Sequence, residues 1–343
     1  MRALLYEAVG ATPAVVEVPD PVCPEDGVVV EVRATGVCRS DVHAWLGHDP
    51  VAVPHVGGHE LAGVIAEVGP AVRDWRVGDR VTVPFVSGCG HCELCRAGDP
   101  QVCPDQTQPG FTGWGSFAER VALHAADFNL VRLPDDLDFG TAAALGCRFA
   151  TAYRAVTGHT TPEPGDWLAV YGAGGAGLSA IMIGRALGLR VAAVDVSPAA
   201  LDLAADCGAE MIIDAAATDP AATIAAELGG VGLSLDCAGT AATATASVRS
   251  LRRRGHHVQV GLLFGPDVTP PLPMDRVISW ELSVHGSHGI AAADYPGLLD
   301  LVTRGRVDPG RMITTITDLD GAGRALVAMA EPGGTAGITV AVP

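Results

Sequence analysis

At 343 residues the chain is about two domains long, and with 48% hydrophobic against 18% charged residues it is too apolar to be disordered. Lys and Arg number 22 against 39 Asp and Glu, and the resulting formal charge of −17 would repel a polyphosphate backbone, which argues against nucleic acid as a partner. No run of about 18 apolar residues occurs, so no membrane span is expected.

The first seven residues read as the opening strand of a folded domain rather than as a signal peptide. Through residue 145 the chain is rich in Val, Gly and Pro. Short apolar runs at 28–32 and 61–68, bounded by turn residues, predict a β-rich domain with short strands. A helix is expected to begin near Asp41, with Ser40 as one candidate for its cap. Cys89, Cys92, Cys95 and Cys103 follow at spacings that bring four thiolates around one tetrahedral ion. Four thiolates leave no open position, so such an ion would be structural. A disulfide pairing or an iron–sulfur cluster are the alternatives for this set. Nine cysteines, an odd and clustered set in a large chain, favour metal binding over a disulfide framework and a soluble, cytoplasmic protein. Cys23, Cys207 and Cys237 read as buried free thiols.

The texture changes after Pro164-Gly165-Asp166. Strands are expected at 167–171, 190–196, 211–213, 233–236 and 258–261. Helices are expected at 176–187, 198–207 and 220–228, and a further one reaches about residue 253. Ser197 caps the second helix and Pro198 occupies its first turn. Strand–helix alternation of this kind predicts a parallel sheet covered on both faces. The pattern is less clear after 287, and the strand-like run 336–340 is expected to return to the first domain.

Tyr171-Gly172-Ala173-Gly174-Gly175-Ala176-Gly177 joins an apolar strand to a helix, the context a dinucleotide-binding loop requires. Gly172 permits the tight turn, Gly174 the approach of a pyrophosphate and Gly177 close helix–strand packing. Gly175 stands where the helix N-terminus offers free amides. A plain strand-to-helix turn is the alternative. Asp195, at the end of the next strand, can accept both ribose hydroxyls and repel a 2′-phosphate. No Lys or Arg stands at 196–198 to receive that phosphate, so NAD is favoured over NADP. The plainer reading of Asp195 is a turn or cap carboxylate.

Taken singly, Cys38 and Cys147 read as packing residues and His59 as a turn histidine. Together, Gly36-Val37-Cys38-Arg39-Ser40-Asp41-Val42-His43, Gly57-Gly58-His59-Glu60, the four-cysteine lobe, Leu145-Gly146-Cys147 and the glycine loop resemble, in that order and over essentially the whole chain, the zinc-dependent alcohol dehydrogenases of the medium-chain dehydrogenase/reductase superfamily. The resemblance implies an α/β fold. A GroES-like, β-rich catalytic domain would span 1–147 and 287–343, and a Rossmann domain with a doubly wound parallel sheet would span 148–286 and bind NAD.

It further implies two zinc ions per chain. Cys38, His59 and Cys147 would hold the catalytic one with a fourth position open, and Cys89, Cys92, Cys95 and Cys103 the structural one. Glu60 would be a carboxylate able to approach the catalytic metal. Asp41 would orient the ligand histidine, and Arg39 would meet the cofactor pyrophosphate. Ser40 and His43 would relay the alcohol proton. Trp45, Phe85 and Trp114 are expected either as pocket walls or as core residues. The family often carries an arginine for cofactor phosphate near Ser287, and none stands there. The implied reaction is oxidation of an alcohol to an aldehyde or ketone, and the reverse, with hydride transfer to NAD in a homodimer or homotetramer. The alternatives are a polyol or amino-alcohol substrate, or a zinc-free reductase on the same scaffold.

Overall fold

The computed structural model describes residues 1–331 and 337–343, and the chain divides into two compact units. One comprises residues 1–150, 289–303 and 313–343, the other residues 151–288 and 304–312.

The first unit is built on the strand Val28–Val37, whose β-branched residues suit a pleated, buried surface. It pairs antiparallel with Glu60–Val68, Arg120–Leu123 and Ile338–Ala341. Register shifts between Val29 and Val30 and between Val32 and Ala34 bend this ribbon. Val28, Val30, Leu61, Ile65, Val81 and Val121 form the core it encloses. A separate three-stranded sheet, Ala14–Glu17, Arg2–Tyr6 and His55–Val56, shares a second core with Val42, Trp45, Phe117 and the helix Leu319–Ala330. The C-terminal strand does return to the first unit, as its pattern suggests. Of the run expected there, Ala336 lies outside the described residues.

The second unit is a six-stranded, wholly parallel sheet in the order Met211–Asp214, Arg190–Asp195, Trp167–Tyr171, Val231–Asp236, Leu251–Gln259, Ser283–Gly286. In chain order this is 3-2-1-4-5-6, the doubly wound arrangement whose ligands sit at the carboxyl ends of the strands where the order reverses. The helices Gly175–Ala186, Pro198–Asp206 and Pro220–Leu228 lie close to their expected spans, with Ser197 capping the second through the N–H of Ala200. One expectation fails. The helix thought to reach about 253 ends at Arg249, and Leu251 opens a strand. The arginines at 252–254 have good helix propensity. However, Ser250 caps the helix, Arg254 takes a left-handed φ of 59°, and pairing of Leu251 with Val231 wins. Among the described residues no helix is long and apolar enough to cross a membrane.

Candidate active site

Cys38 directly follows the strand Val28–Val37, is itself extended, and caps the short helix Arg39–Trp45. Ser40, a candidate for that cap, instead lies inside the first turn. The capping carboxylate is that of Asp41, whose Oδ2 accepts the Cys38 N–H at 2.9 Å. Its Oδ1 accepts the N–H of Gly58 at 3.1 Å and faces His59 Nδ1 at 2.9 Å. One buried carboxylate thus locks the two ligand-bearing segments together. Glu60 begins the neighbouring strand. Cys147 arrives on a π-helical turn, Leu145–Phe149, between two α-helices, a distortion common at functional sites.

The donor atoms of Cys38, His59, Glu60 and Cys147 all lie within 4.8 Å of one another. His59 is fully buried, and its Nε2 lacks a conventional hydrogen-bond partner while Asp41 holds the opposite ring nitrogen. A ligand histidine has this arrangement. Packed this closely, the groups share their protons unevenly. The hydrogen bond from Cys147, with help from Arg148 and His59, holds Cys38 well below the ordinary thiol range against the opposing effect of burial. Cys147 is held well above it by that same hydrogen bond and by burial. Burial opposes charge on His59, but Asp41 outweighs it and holds the imidazole well above its usual value. Two sulfurs and an imidazole suit a soft divalent cation such as zinc.

The second cluster is local. Cys89 Sγ lies 3.9 Å from Cys95 Sγ, and Cys92 Sγ 3.7 Å from Cys103 Sγ. A tetrahedron of Zn–S bonds near 2.3 Å has edges of about 3.8 Å, so the cage has the right size. Backbone N–H groups of Cys92, Cys95 and Cys89 point at Cys89, Cys92 and Cys103 sulfurs in turn. Backbone N–H donation, chiefly from His91, brings the Cys89 thiol down to about 6, while burial pushes Cys95 up to about 12. Buried Asn129 clamps the lobe through both main-chain groups of Gly88. Of the remaining thiols, Cys207 is buried as expected, whereas Cys23 and Cys237 are only half-buried.

In the second unit, Gly172 has a φ of 92°, and a Cβ on Gly177 would lie 1.8 Å from the carbonyl oxygen of Gly172. A Cβ on Gly174 would meet nothing within 4 Å, which leaves that face of the loop open to a ligand. Gly174 caps and Gly175 begins the following helix, whose first amides face that opening. Asp195 reaches the loop from the next strand. Its Oδ2 accepts the Ala173 N–H at 2.6 Å, and its Oδ1 those of Val196 and Ser197. The turn takes three of the roughly four lone-pair sites of this carboxylate, and the one left on Oδ2 can accept a single ribose hydroxyl.

The other expected residues divide. Ser40 Oγ lies 3.9 Å from Cys38 Sγ. His43 Nδ1 meets His48 Nδ1 at 3.2 Å. Arg39 donates to the carbonyl of Met329. Phe85 stands edge-on to His59 with ring centroids 5.9 Å apart. Trp45 is a core residue whose indole donates to the Ala11 carbonyl at 2.7 Å. Trp114 is 40% exposed and reaches the Pro54 carbonyl. Three neighbours escape sequence reasoning. Phe111 packs 5.2 Å from His59, the Tyr295 hydroxyl donates to the Gly146 carbonyl at 3.1 Å, and Arg148 pairs with Glu60. For Arg148 a signal existed, since it interrupts an apolar run, and a charge there demands a buried partner.

Comparison with known proteins agrees with this geometry. Residues 24–135 match the alcohol dehydrogenase GroES-like domain, and residues 175–304 match the zinc-binding dehydrogenase family. An alcohol dehydrogenase from Geobacillus stearothermophilus is 36% identical over 310 residues, 90% of each chain. The alcohol dehydrogenase TADH from Thermus sp. ATN1 superposes with a TM-score of 0.91 at 30% identity, covering 100% of this chain and 99% of the other. A structure described as a short chain alcohol dehydrogenase, rspB from Escherichia coli CFT073 in complex with NADH, gives a TM-score of 0.89 at 28% identity, covering 100% of this chain and 99% of that one. The chain belongs to the zinc-type alcohol dehydrogenases of the medium-chain dehydrogenase/reductase superfamily.

Proposed function

We propose that the chain oxidises a small alcohol to an aldehyde or ketone, and runs the reverse, with Cys38, His59 and Cys147 as ligands of a catalytic zinc ion and NAD as hydride acceptor. The observation that carries this reading is the convergence of two thiols on a buried imidazole whose outer nitrogen is pinned by Asp41 and whose inner nitrogen has no conventional hydrogen-bond partner. Cys89, Cys92, Cys95 and Cys103 hold the second, structural ion. On this reading residues 1–147 and 287–343 form the catalytic domain and residues 148–286 the cofactor domain.

When bound, zinc supplies Lewis-acid polarisation of the alcohol oxygen and the nicotinamide supplies the hydride-accepting carbon. The chain's own residues do the rest. Phe85 and Phe111 wall the imidazole and keep water from it. Ser40, beside Cys38, takes up the alcohol proton, and His43 passes it outward. Burial, with the charges of His48 and Arg39, lowers the His43 pKa, so its ring is neutral at neutral pH and able to accept. The loop at 172–177 receives the pyrophosphate, and Asp195 the adenosine ribose. Six of the nine cysteines are gathered in the two metal-ligand sets, which supports a cytoplasmic location. The chain assembles as a homodimer or homotetramer on this reading, which light scattering tests directly.

The test is NADH formation with a panel of primary, aromatic and polyhydric alcohols, alongside a zinc count. Turnover with two zinc ions per chain is expected. Absence of turnover across the panel would sink the reading.

Two substitutions probe its parts. Asp195→Gly should narrow the preference for NAD over NADP, measured as the ratio of kcat/KM values, by roughly 10- to 100-fold, the worth of hydrogen bonds to a charged group. An unchanged ratio removes Asp195 from the ribose. Asp41→Ala should weaken zinc retention against a chelator by roughly 10- to 100-fold at one site of two, the usual cost of losing a ligand's outer partner. Retention equal to wild type would show that Asp41 does not orient His59.

A further inference from the structure

We propose that Arg148 sets the coordination number of the catalytic centre: by gripping both oxygens of Glu60 it withholds a fourth protein donor and keeps that position open for substrate. The proposal rests on the assignment of Cys38, His59 and Cys147 as ligands.

A carboxylate oxygen of Glu60 stands within 4.8 Å of each of the other three donor atoms. Two sulfurs, a nitrogen and that oxygen would complete a tetrahedron, as in closed structural centres with no room for a reactant. Geometry alone does not prevent this, since Glu60 follows the ligand His59 directly and is fully buried beside the cluster. What restrains it is Arg148. Its Nε lies 2.8 Å from Oε1 and 3.1 Å from Oε2, its Nη2 also donates to Oε2, and its backbone N–H lies 3.3 Å from Oε1. The guanidinium is anchored in turn, with Nη2 donating to the Val37 carbonyl at 2.9 Å. The pair needs space that only a glycine leaves. A Cβ on Gly36 would lie 2.2 Å from Glu60 Oε2 and 3.0 Å from Arg148 Nη2.

Charge balance points the same way. Two thiolates would match a divalent ion and Arg148 matches Glu60, while Asp41 is taken up by the His59 ring and two backbone N–H groups. Without the guanidinium, a buried carboxylate loses its counter-charge, and the metal is the nearest cation to replace it. The planar fork matters as well as the charge, because it occupies both oxygens at once, whereas an ammonium would leave one able to turn. Arg148 follows Cys147 on the π-helical turn Leu145–Phe149. One turn therefore delivers a ligand and restrains a competitor. Arg148 is a positioning residue, since it acts through Glu60.

Cobalt(II) exchanged into the holoenzyme reports coordination through its visible d–d bands. In the wild type, imidazole should shift the bands of one of two cobalt ions by entering the open position. In Arg148→Met the bands should be shifted before any addition, and the imidazole affinity should fall at least roughly tenfold. Adding Glu60→Gln to Arg148→Met should restore the wild-type response. Since Arg148→Met strands a buried carboxylate and can fail to fold, Arg148→Lys is read beside it, and a response between the two is expected. Two cobalt ions per chain with the wild-type imidazole response in Arg148→Met, or in Arg148→Lys should the first not fold, would overturn the role of Arg148 and leave the ligand assignment standing. One cobalt ion per wild-type chain would overturn the ligand assignment itself.

Discussion

Cys38→Ala is expected to reduce alcohol oxidation by roughly 10³-fold or more while the chain keeps one of its two zinc ions. Lewis-acid stabilisation is worth several kcal/mol, and about 1.4 kcal/mol corresponds to each factor of ten. The fold should survive. Asp41 caps the helix Arg39–Trp45 through the backbone N–H of Cys38, which alanine retains. The four-cysteine lobe forms its own cage, so the residual ion should sit there. Cys207→Ala, which removes a buried thiol far from either cluster in sequence, serves as control and should keep both ions. Metal analysis and the initial rate of NADH formation check the expectation. Full activity in Cys38→Ala would remove this thiolate from the centre.

A second large effect belongs to the glycine loop, where two neighbouring positions should fail in different ways. Gly177→Ala places a methyl carbon 1.8 Å from the Gly172 carbonyl oxygen, so the helix Gly175–Ala186 must move off the sheet. Overpacking against backbone should cost about 3 kcal/mol or more. At roughly 2–4 °C per kcal/mol for a unit of this size, Tm should fall by about 6–12 °C, with NAD affinity falling too. Gly174→Ala meets nothing within 4 Å and should leave Tm unchanged, yet weaken NAD binding by filling the space a pyrophosphate needs. Calorimetry with and without NAD separates the two. Undiminished NAD binding in Gly174→Ala would mean that the loop does not cradle the cofactor.

How much of this was legible in sequence depends on how far each feature reaches along the chain. The glycine loop and the four-cysteine cage are local. Their residues are close neighbours in sequence, and turn and ligand geometry constrain the spacing, so pattern and structure coincide. The parallel sheet was legible for a similar reason, since alternating strands and helices leave few topologies open. The arginines at 252–254 show the limit of local propensity. They favour helix by composition, but register with the neighbouring strand overrides them.

Cys38, His59 and Cys147 became a set in sequence only through resemblance, because nothing in their individual surroundings joins them. Their union is a tertiary fact: a strand end, a loop and a π-helical turn are brought together by a bent antiparallel ribbon and by one carboxylate, Asp41. The Arg148–Glu60 pair lay deeper still. The arginine was visible as a charge in an apolar run, but its partner stands on another strand. Buried charges are settled by whatever the folded chain places opposite them, a choice with no sequence spacing of its own. Chemistry-bearing residue types, local loops and the alternation of elements were thus determined by the sequence itself. Which distant donors converge, and which carboxylate meets Arg148, only the packed structure decided, because both depend on long-range contacts in the buried interior.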